Sequence, residues 1–146
     1  MTLHDVQKDG TNVDLIPFDG DVVAGTWNFV VNANQILTGY YINTITHTNN
    51  DQVNFPLVLG KGTYEVSIIY VTADNCAKLD VALDGNIIIN QLDQYSAIST
   101  FNLIYRESAV VLRHPTKTIS FKVNGKNAAS LDYYINFSLI SFRRVA

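Results

Sequence analysis

The sequence predicts an all-β fold, an antiparallel jelly-roll β-sandwich, and three observations support this prediction. Apolar residues recur at every second position in many segments, the spacing that places them on one face of a strand. Turn-forming glycine, asparagine and proline residues separate these segments at regular intervals. No segment shows a convincing helical period of 3.6 residues. At 146 residues, a sandwich is favoured over a barrel or a propeller.

The first predicted elements lie near the N-terminus. Residues 1–24 are less periodic and rich in Asp and Gly, and we expect an extended arm or an edge strand there. Residues 26–31 and 40–45 have the aromatic and β-branched composition of strands, and the polar segment 32–35 separates them. These two segments are therefore predicted to be strands.

The clearest strand lies at residues 63–71, directly after a Gly-Lys-Gly turn at 60–62. A β-rich run from near Asp51 leads into that turn, so a hairpin is predicted. The strand is expected to be half-buried, because one face is apolar and the other begins with Glu65 and Ser67. The apolar face comprises Tyr64, Val66, Ile68 and Tyr70.

The next elements are a second hairpin and a further strand. Residues 78–83 and 86–89 flank an Asp-Gly pair at 84–85, which suits a tight turn with positive φ. An apolar run at 110–113 then leads through a proline turn into the strand predicted at 118–123, whose apolar residues alternate.

The last predicted strand, residues 133–142, changes phase. Its apolar residues alternate up to Leu139 and then continue at Ile140 and Phe142, with the opposite parity. A β-bulge would produce this shift, and so would a strand buried on both faces. About eight strands are predicted, in a single domain spanning residues 1–146.

Composition excludes several classes of function. The chain is only 16% charged with a net charge of -3, and its Lys and Arg are scattered, so nucleic-acid binding lacks its electrostatic footprint. No apolar run approaches the ~18 residues of a membrane helix, and the N-terminus lacks a signal-peptide core, so we expect neither membrane insertion nor export. Cys76 is the only cysteine, which excludes an internal disulfide and a cysteine-based zinc site.

The sequence shows no pattern typical of catalysis. The three histidines are far apart, and nucleophile-elbow and zinc-protease motifs are missing. Cys76 has no activating neighbour and is expected to be buried or inert. We predict a protein that is not an enzyme and has no cofactor or metal. Four N-terminal aspartates have calcium-binding chemistry but not the spacing of a calcium loop. They are Asp9, Asp14, Asp19 and Asp21.

A series of motifs runs through the last two thirds of the chain. Gly-Thr-Tyr at 62–64 follows an apolar run, Leu-Asp-Gly stands at 83–85, and Asp-Gln-Tyr-Ser follows at 93–96. Gly-Lys-Asn-Ala-Ala-Ser at 125–130 joins the last two predicted strands, and Ile-Ser-Phe-Arg at 140–143 closes the domain. This order resembles jelly-roll modules of phage tail-fibre and other virion proteins, and carbohydrate-binding modules of the galactose-binding-like fold.

The first functional hypothesis is a non-enzymatic virion structural protein, either a capsid decoration or a tail or fibre subunit. We expect it to be made in the host cytoplasm, located in the virion and bound to other virion proteins, and the resemblance implies a homotrimer. The last strand carries more apolar residues than one core face holds, and burying the surplus between subunits would stabilise an assembly. The predicted interface residues are Phe137, Leu139, Ile140 and Phe142.

The alternative hypothesis is a domain that recognises a cell-surface glycan. Aromatic rings stack on sugar rings, and loop amides such as Asn32 hydrogen-bond hydroxyls. The adjacent pairs Tyr40-Tyr41 and Tyr133-Tyr134 indicate one surface tyrosine each, because neighbouring strand residues point to opposite faces. Core packing and turn formation are the competing explanation for these residues. The residues predicted to bind glycan are Trp27, Tyr40, Tyr95 and Asn127.

Overall fold

The computed structural model of the protein describes residues 10–146. The regular structure in this range consists of strands, arranged in two antiparallel sheets, which is the predicted all-β sandwich. Residues 10–146 contain no helix long and apolar enough to cross a membrane. The strands are β1 (Asn12–Leu15), β2 (Asp21–Ala24), β3 (Trp27–Val31), β4 (Tyr40–Thr44), β5 (Gln52–Leu59), β6 (Gly62–Thr72), β7 (Lys78–Leu83), β8 (Asn86–Asp93), β9 (Thr100–Leu112), β10 (Thr116–Val123) and β11 (Asn136–Arg144).

The two sheets have different strand orders. Sheet A has the order β3-β4-β11-β6-β9, and β1 also pairs with β11. Sheet B has the order β2-β5-β10-β7-β8. β1 and β4 share one side of β11, because Leu15 lies opposite Ile140 and Ile42 lies opposite Phe137. Apart from β1, the edge strands of sheet A are therefore β3 and β9.

The N-terminal segment predicted as an arm or an edge strand contains two short strands. β1 pairs with the C-terminal strand β11, and β2 is an edge strand of sheet B. Residues 1–9 of that segment lie outside the described residues, and so does the candidate calcium ligand Asp9. Each of the two strands has only four residues, which is too short to produce a visible period in the sequence.

The hairpin predicted across residues 60–62 does not form. β5 belongs to sheet B and β6 to sheet A, so this turn carries the chain from one sheet to the other. The physical reason is burial: Leu59 and Tyr64, on either side of the turn, are both in the core and face it from opposite sheets. The phenol of Tyr64 donates a hydrogen bond to the carbonyl of Gly60, 2.7 Å away, across the turn.

The second predicted hairpin is confirmed. β7 pairs with β8 in antiparallel register, and Leu83 lies opposite Asn86. Between them, Asp84 has a φ of 47° and Gly85 a φ of 83°. Two successive residues with positive φ form the kind of turn whose twist matches that of the flanking strands. Local sequence therefore defines this hairpin.

The core lies between the two sheets and is closed by aromatic contacts. Phe121 of sheet B stacks on Phe137 of sheet A, with ring centroids 4.3 Å apart. Phe55 meets Phe121 edge to face at 5.8 Å. Because Phe121 contacts both rings, it links β5 and β10 to the central strand of sheet A. Such ring pairs typically add ~0.5–1.5 kcal/mol beyond their buried area.

A β-bulge explains the phase change in β11. Phe137 lies opposite Tyr70 and Leu139 opposite Ile69, so Ser138 is an extra residue in the pairing with β6. The side chains before and after the bulge then face the same core. Phe137, Ile140 and Phe142 are fully buried within the chain, and Leu139 is half-buried on the outer face.

This arrangement corrects the prediction of an oligomer interface on β11. Phe137, Ile140 and Phe142 were predicted to contact another subunit, but the bulge places all three in the intramolecular core. Of the four predicted interface residues, Leu139 alone lies on the outer face, because one extra residue reverses the alternation, and its part in an interface stays a prediction. The homotrimer itself stays a prediction.

Candidate functional site

A long loop between β3 and β4 lies across the outer face of sheet A, and we call its residues 32–39 the strap. Asn102 of β9 holds the strap by both ends of its amide. Its Oδ1 accepts from the backbone N–H of Leu37 at 2.8 Å, and its Nδ2 donates to the carbonyl of Gln35 at 3.0 Å. Since β3 and β4 lie at one side of sheet A and β9 at the other, the strap crosses the strands between them.

The conformation of the strap follows from its sequence. It begins at Asn32 with a φ of 60° and ends at Gly39 with a φ of 80°, a left-handed conformation that Asn and Gly adopt readily. The N–H of Ala33 donates to the carbonyl of Gly39 at 3.0 Å, which closes the loop. Ile36 is only 6% exposed and anchors the strap on the protein.

Three loops face the strap from the end of the sandwich, and we call residues 73–77, 94–99 and 124–135 the end loops. Backbone hydrogen bonds tie them together. The N–H of Ala77 donates to the carbonyl of Tyr134 at 2.7 Å, and the N–H of Tyr134 donates to the carbonyl of Asn75 at 3.0 Å. The side chains that the end loops present are therefore held in fixed relative positions.

Between the strap and the end loops lies a cleft of about 770 Å³. This volume is within the ~300–1,000 Å³ typical of small-molecule sites. The described residues that line it are all uncharged. Three contribute aromatic rings and five contribute amide groups, and the rest are small or aliphatic. The rings belong to Tyr41, Phe101 and Tyr134, and the amides to Asn32, Asn34, Gln35, Asn75 and Asn136.

The aromatic side chains reach the cleft from different elements. Tyr41 lies on β4 next to the buried Ile42, so alternation along the strand directs Tyr41 to the outer face. Phe101 lies on β9 at the far edge of the sheet, beside the strap-binding Asn102. Tyr134 lies two residues before the start of β11, near the middle of sheet A. The rings are thus spread across the width of the sheet.

A polar cluster lies at the end of the cleft formed by β4 and β11. Asn136 lies opposite Asn43 in the sheet, and its Nδ2 donates to the phenol oxygen of Tyr134 at 3.1 Å. The Oδ1 atoms of Asn136 and Asn43 are buried and have no hydrogen-bond partner among the described residues. A buried acceptor without a partner typically costs ~1–3 kcal/mol. Asn136 lines the cleft, so a hydroxyl group bound there would relieve this cost.

The surroundings of Tyr134 make its phenol harder to ionise than that of an ordinary tyrosine. Burial raises the pKa of the Tyr134 phenol, and this effect outweighs the hydrogen bonds from Asn136 and Asn43, which lower it. Its ring also packs edge to face against the His47 imidazole, with centroids 5.1 Å apart. The phenol is therefore a fixed, neutral hydrogen-bonding group beside the cleft.

A histidine–aspartate pair packs against Tyr134. His47 Nδ1 lies 2.7 Å from Asp132 Oδ2. Partial burial by itself raises the pKa of Asp132, but hydrogen bonds from the Tyr133 N–H and from His47, together with the positive charges of His47 and Lys126, hold that pKa below its usual value. The pair fixes the His47 ring on which Tyr134 packs.

Two of the predicted glycan-binding residues, Trp27 and Tyr40, lie outside the cleft at the β3–β4 side of the sandwich. Trp27 packs partly buried against the core, and its indole N–H donates to the carbonyl of Ala24 at 3.2 Å. The Tyr40 ring packs on Phe29 with centroids 5.7 Å apart. Both contacts are those expected of structural aromatic residues.

The other two predicted residues, Tyr95 and Asn127, belong to the end loops but do not line the cleft. Tyr95 is half-buried, and its N–H donates to Asp93 Oδ1 at 3.0 Å. Asn127 donates from Nδ2 to Asp93 Oδ2 at 2.9 Å, and its Oδ1 accepts from the N–H of Ala129 at 3.0 Å. Asn127 therefore shapes its loop, which is the competing explanation that the sequence already offered.

Some of the residues that line the cleft could be anticipated from the sequence. Tyr41 and Tyr134 are the partners of Tyr40 and Tyr133 in the adjacent pairs, of which one member each was expected at the surface. Asn32 was among the loop amides considered for sugar hydroxyls. Phe101, Asn75 and Asn136 had no such signal, because nothing local distinguishes them from other strand and loop residues.

Other chemistry is not apparent in the described part of the chain. Residues 10–146 hold no group of three or more His, Cys, Asp or Glu placed for a metal ion. Cys76 is completely buried, as expected, and burial raises the pKa of its thiol to about 12. A thiol that remains protonated at neutral pH is a poor nucleophile.

Comparison with known proteins identifies the fold. No family model and no curated protein matches the sequence. Among solved structures, a Paenibacillus xanthan lyase superposes with a TM-score of 0.73 at 18% identity, over 90% of this chain but 13% of the lyase. This chain therefore spans only a small part of that enzyme.

Two further matches are carbohydrate-binding modules of similar length. The CBM36-1 domain of a multidomain xylanase from the hindgut metagenome of Trinervitermes trinervoides has a TM-score of 0.64 and 14% identity, covering 93% of this chain and 99% of the domain. A CBM36 module in complex with calcium and xylotriose has a TM-score of 0.59 and 10% identity, covering 89% and 98%. At these identities the matches show a shared jelly-roll fold.

Proposed function

We propose that the protein is a glycan-binding domain and that the cleft between the strap and the end loops holds the sugar. The observation that carries this proposal is the meeting of three aromatic rings and five amides in one cleft of about 770 Å³. Sugar rings offer apolar C–H faces for stacking and hydroxyl groups that both donate and accept hydrogen bonds. The lining of the cleft is complementary to both properties.

The unpaired acceptor of Asn136 supports a ligand rich in hydroxyl groups. Asn136 is 6% exposed and lines the cleft, and its Oδ1 has no partner among the described residues. A sugar hydroxyl can donate to this oxygen and accept from the neighbouring Tyr134 phenol. Buried polar groups are rarely left without partners, so an unpaired one at a cleft indicates a site for a bound group.

The residues that line the cleft favour binding of a sugar without hydrolysis of its glycosidic bonds. Glycosidases typically use two carboxyl groups that flank the scissile bond, one as an acid and one as a base or nucleophile. The described residues that line this cleft supply amides, hydroxyls and rings instead. We therefore infer that the sugar is bound and released unchanged.

The shared fold supports the same proposal. Modules that superpose on nearly the whole chain are carbohydrate-binding domains, and one of them was solved with xylotriose. This likeness favours the glycan-binding hypothesis over the virion hypothesis. Fold alone does not determine a ligand, so the cleft residues carry the argument. The virion hypothesis stays an untested prediction.

The test is titration calorimetry with soluble oligosaccharides, guided by a glycan array. We expect saturable binding of at least one sugar, and Tyr41→Ala should weaken it at least tenfold because a stacking ring is lost. Tyr95→Ala is the matched control: it removes a tyrosine that the sequence predicted but that lies outside the cleft. If Tyr95→Ala weakens binding and Tyr41→Ala does not, the sugar binds around Tyr95, outside the cleft, and the proposed cleft is wrong.

A further inference from the structure

We propose that the cleft selects a short, uncharged sugar chain lying across the strands of sheet A without a metal ion, and that Asn102 is the residue that positions its outer wall. This inference rests on the proposed glycan-binding function and adds the class of ligand and a residue outside the cleft lining. Three observations carry it: the direction of the cleft, the charge of its lining and the attachment of the strap.

The direction of the cleft follows from which strands line it. Tyr41 and Val30 contribute from β4 and β3, and Phe101 contributes from β9 at the other edge of the sheet. Four strand spacings separate β3 from β9, a span of roughly 19 Å. The strap runs in the same direction and forms one long wall. A sugar chain that contacts all three rings must therefore lie across the strands, between the strap and the end loops.

The charge of the lining determines the class of sugar. The described lining residues carry no ionised side chain, and Asp74, between the lining residues Ala73 and Asn75, is exposed at the rim. A carboxylated or sulfated sugar would meet no cation in the cleft and would approach the Asp74 carboxylate. An uncharged sugar chain has neither disadvantage.

The CBM36 module that was solved with xylotriose also contains calcium. The residues that line the cleft of this chain do not fit a calcium ion. Calcium prefers six to eight oxygen ligands, usually including several carboxylates. The cleft offers only neutral amide and hydroxyl oxygens, and no cluster of acidic residues suited to a metal occurs in residues 10–146. We therefore infer that sugar binding to this chain does not require calcium.

Asn102 positions the strap through two hydrogen bonds to residues two positions apart. Apart from the buried Ile36, most strap side chains are exposed, and Leu37 is 88% exposed. The strap thus has few other contacts that hold it across the sheet. Without the Asn102 amide, the Gln35 and Leu37 backbone groups lose their attachment to β9 and the wall of the cleft becomes mobile.

The first experiment measures the class of ligand with the whole chain. Titrations with xylotriose, cellobiose and mannotriose are compared with trigalacturonate, an anionic trisaccharide, each in calcium and in EDTA. We expect a neutral oligosaccharide to bind at least tenfold more tightly than trigalacturonate, with equal affinity in calcium and EDTA. Loss of binding in EDTA, or equal affinity for trigalacturonate, would overturn the inference about the ligand and leave glycan binding intact.

The second experiment tests the positioning residue. Asn102 has a φ of 60°, so Asn102→Gly removes the amide without adding backbone strain. We expect at least tenfold weaker binding, a melting temperature lowered by only about 2–4 °C because the two lost hydrogen bonds are at exposed groups, and faster hydrogen exchange at the Leu37 amide. Asn102→Asp keeps an acceptor for Leu37 but loses the donor to Gln35, so it should be intermediate. The exposed Asn90 of β8 provides the control, Asn90→Ala.

The outcomes separate the two proposals. If the wild-type chain binds a sugar and Asn102→Gly binds it within twofold as well, Asn102 has no positioning role and the glycan-binding function stands. If the wild-type chain binds no sugar on the array or by calorimetry, the proposed function and this inference are both wrong. Unchanged exchange at Leu37 in Asn102→Gly would also contradict the role of Asn102.

Discussion

The two outer faces of the sandwich are built from similar strands, but they differ in what covers them. The outer face of sheet A has the strap across it and a cleft of about 770 Å³. The outer face of sheet B, in the described part of the chain, has a smaller depression of about 240 Å³, lined by residues that include Asp80 and Lys122. The difference indicates that loops at the rim of a sheet, rather than the sheet itself, create the larger cleft.

The polar groups of the two faces also differ in how they are paired. On the sheet B side, Asp80 accepts from the Gln91 N–H and from Asn124 Nδ2, each at 2.8 Å. On the sheet A side, the Oδ1 atoms of Asn136 and Asn43 have no hydrogen-bond partner among residues 10–146. Asp80 is therefore satisfied within the chain, whereas Asn136, which lines the cleft, keeps a buried acceptor without a partner there.

The largest expected effect comes from removing one apolar side chain on each face. Phe101→Ala on the sheet A side should weaken sugar binding roughly 30-fold, or about 2 kcal/mol, because a stacking ring is lost. Ile87→Ala, which removes a side chain that is 56% exposed beside the sheet B depression, should leave binding within twofold. Calorimetry measures both. Equal losses would show that both faces bind sugar and would remove the contrast between them.

A smaller effect is expected from two asparagine variants, one of which should change sugar binding and the other the stability of the fold. Asn136→Ala should weaken sugar binding while changing the free energy of unfolding little, because the variant loses one hydrogen bond but also an unpaired acceptor. Asn124 is the first residue of an end loop but does not line the cleft. Asn124→Ala should therefore destabilise the fold by about 1–2 kcal/mol without affecting binding, because it leaves the buried Asp80 with one partner fewer. Urea unfolding and calorimetry on both variants measure these changes. The reverse pattern would contradict the assignment of the two faces.

The smallest expected effect concerns the pH dependence of stability near the cleft. The pKa of Asp132 is lower in the folded chain than its usual value of 3.8, so the folded state favours the ionised carboxylate. Its contribution to stability is present above pH 3.8 and is lost as the pH falls through the lower, folded-state pKa. Asp132→Asn should therefore flatten the acid side of the stability curve, measured by urea unfolding between neutral and acidic pH. If the stability of Asp132→Asn falls with decreasing pH as steeply as that of the wild-type chain, the contact between Asp132 and His47 contributes nothing to stability.

Much of the fold could be predicted because its signals are local. The apolar alternation around Val66 and the Asp84-Gly85 turn each depend on neighbouring residues, and both predictions are confirmed. Most of β9 was not predicted, since Asn102 and Ala109 have φ values of 60° and 57° and interrupt the alternation. A strand with two irregularities has no continuous period for a sequence pattern to reveal.

The candidate site was predictable only in part. The tyrosine pairs indicated that one member of each approaches the surface, but the sequence favoured Tyr40, and the structure places Tyr41 at the cleft. Which member faces outward depends on the register, and the burial of Ile42 against Phe137 of β11 sets that register. This pairing joins residues far apart in the chain, so no local pattern contains it.

By itself, the sequence determined an all-β sandwich and excluded a disulfide within the chain, because periodicity and residue counts are local or additive properties. Only the tertiary structure decided that β5 and β6 lie in different sheets and that one extra residue in β11 returns its apolar side chains to a single core. It also brought Tyr41, Phe101 and Tyr134 into one cleft. The physical reason is that a site built from distant strands depends on how they pair, and pairing is set by burial across the whole molecule.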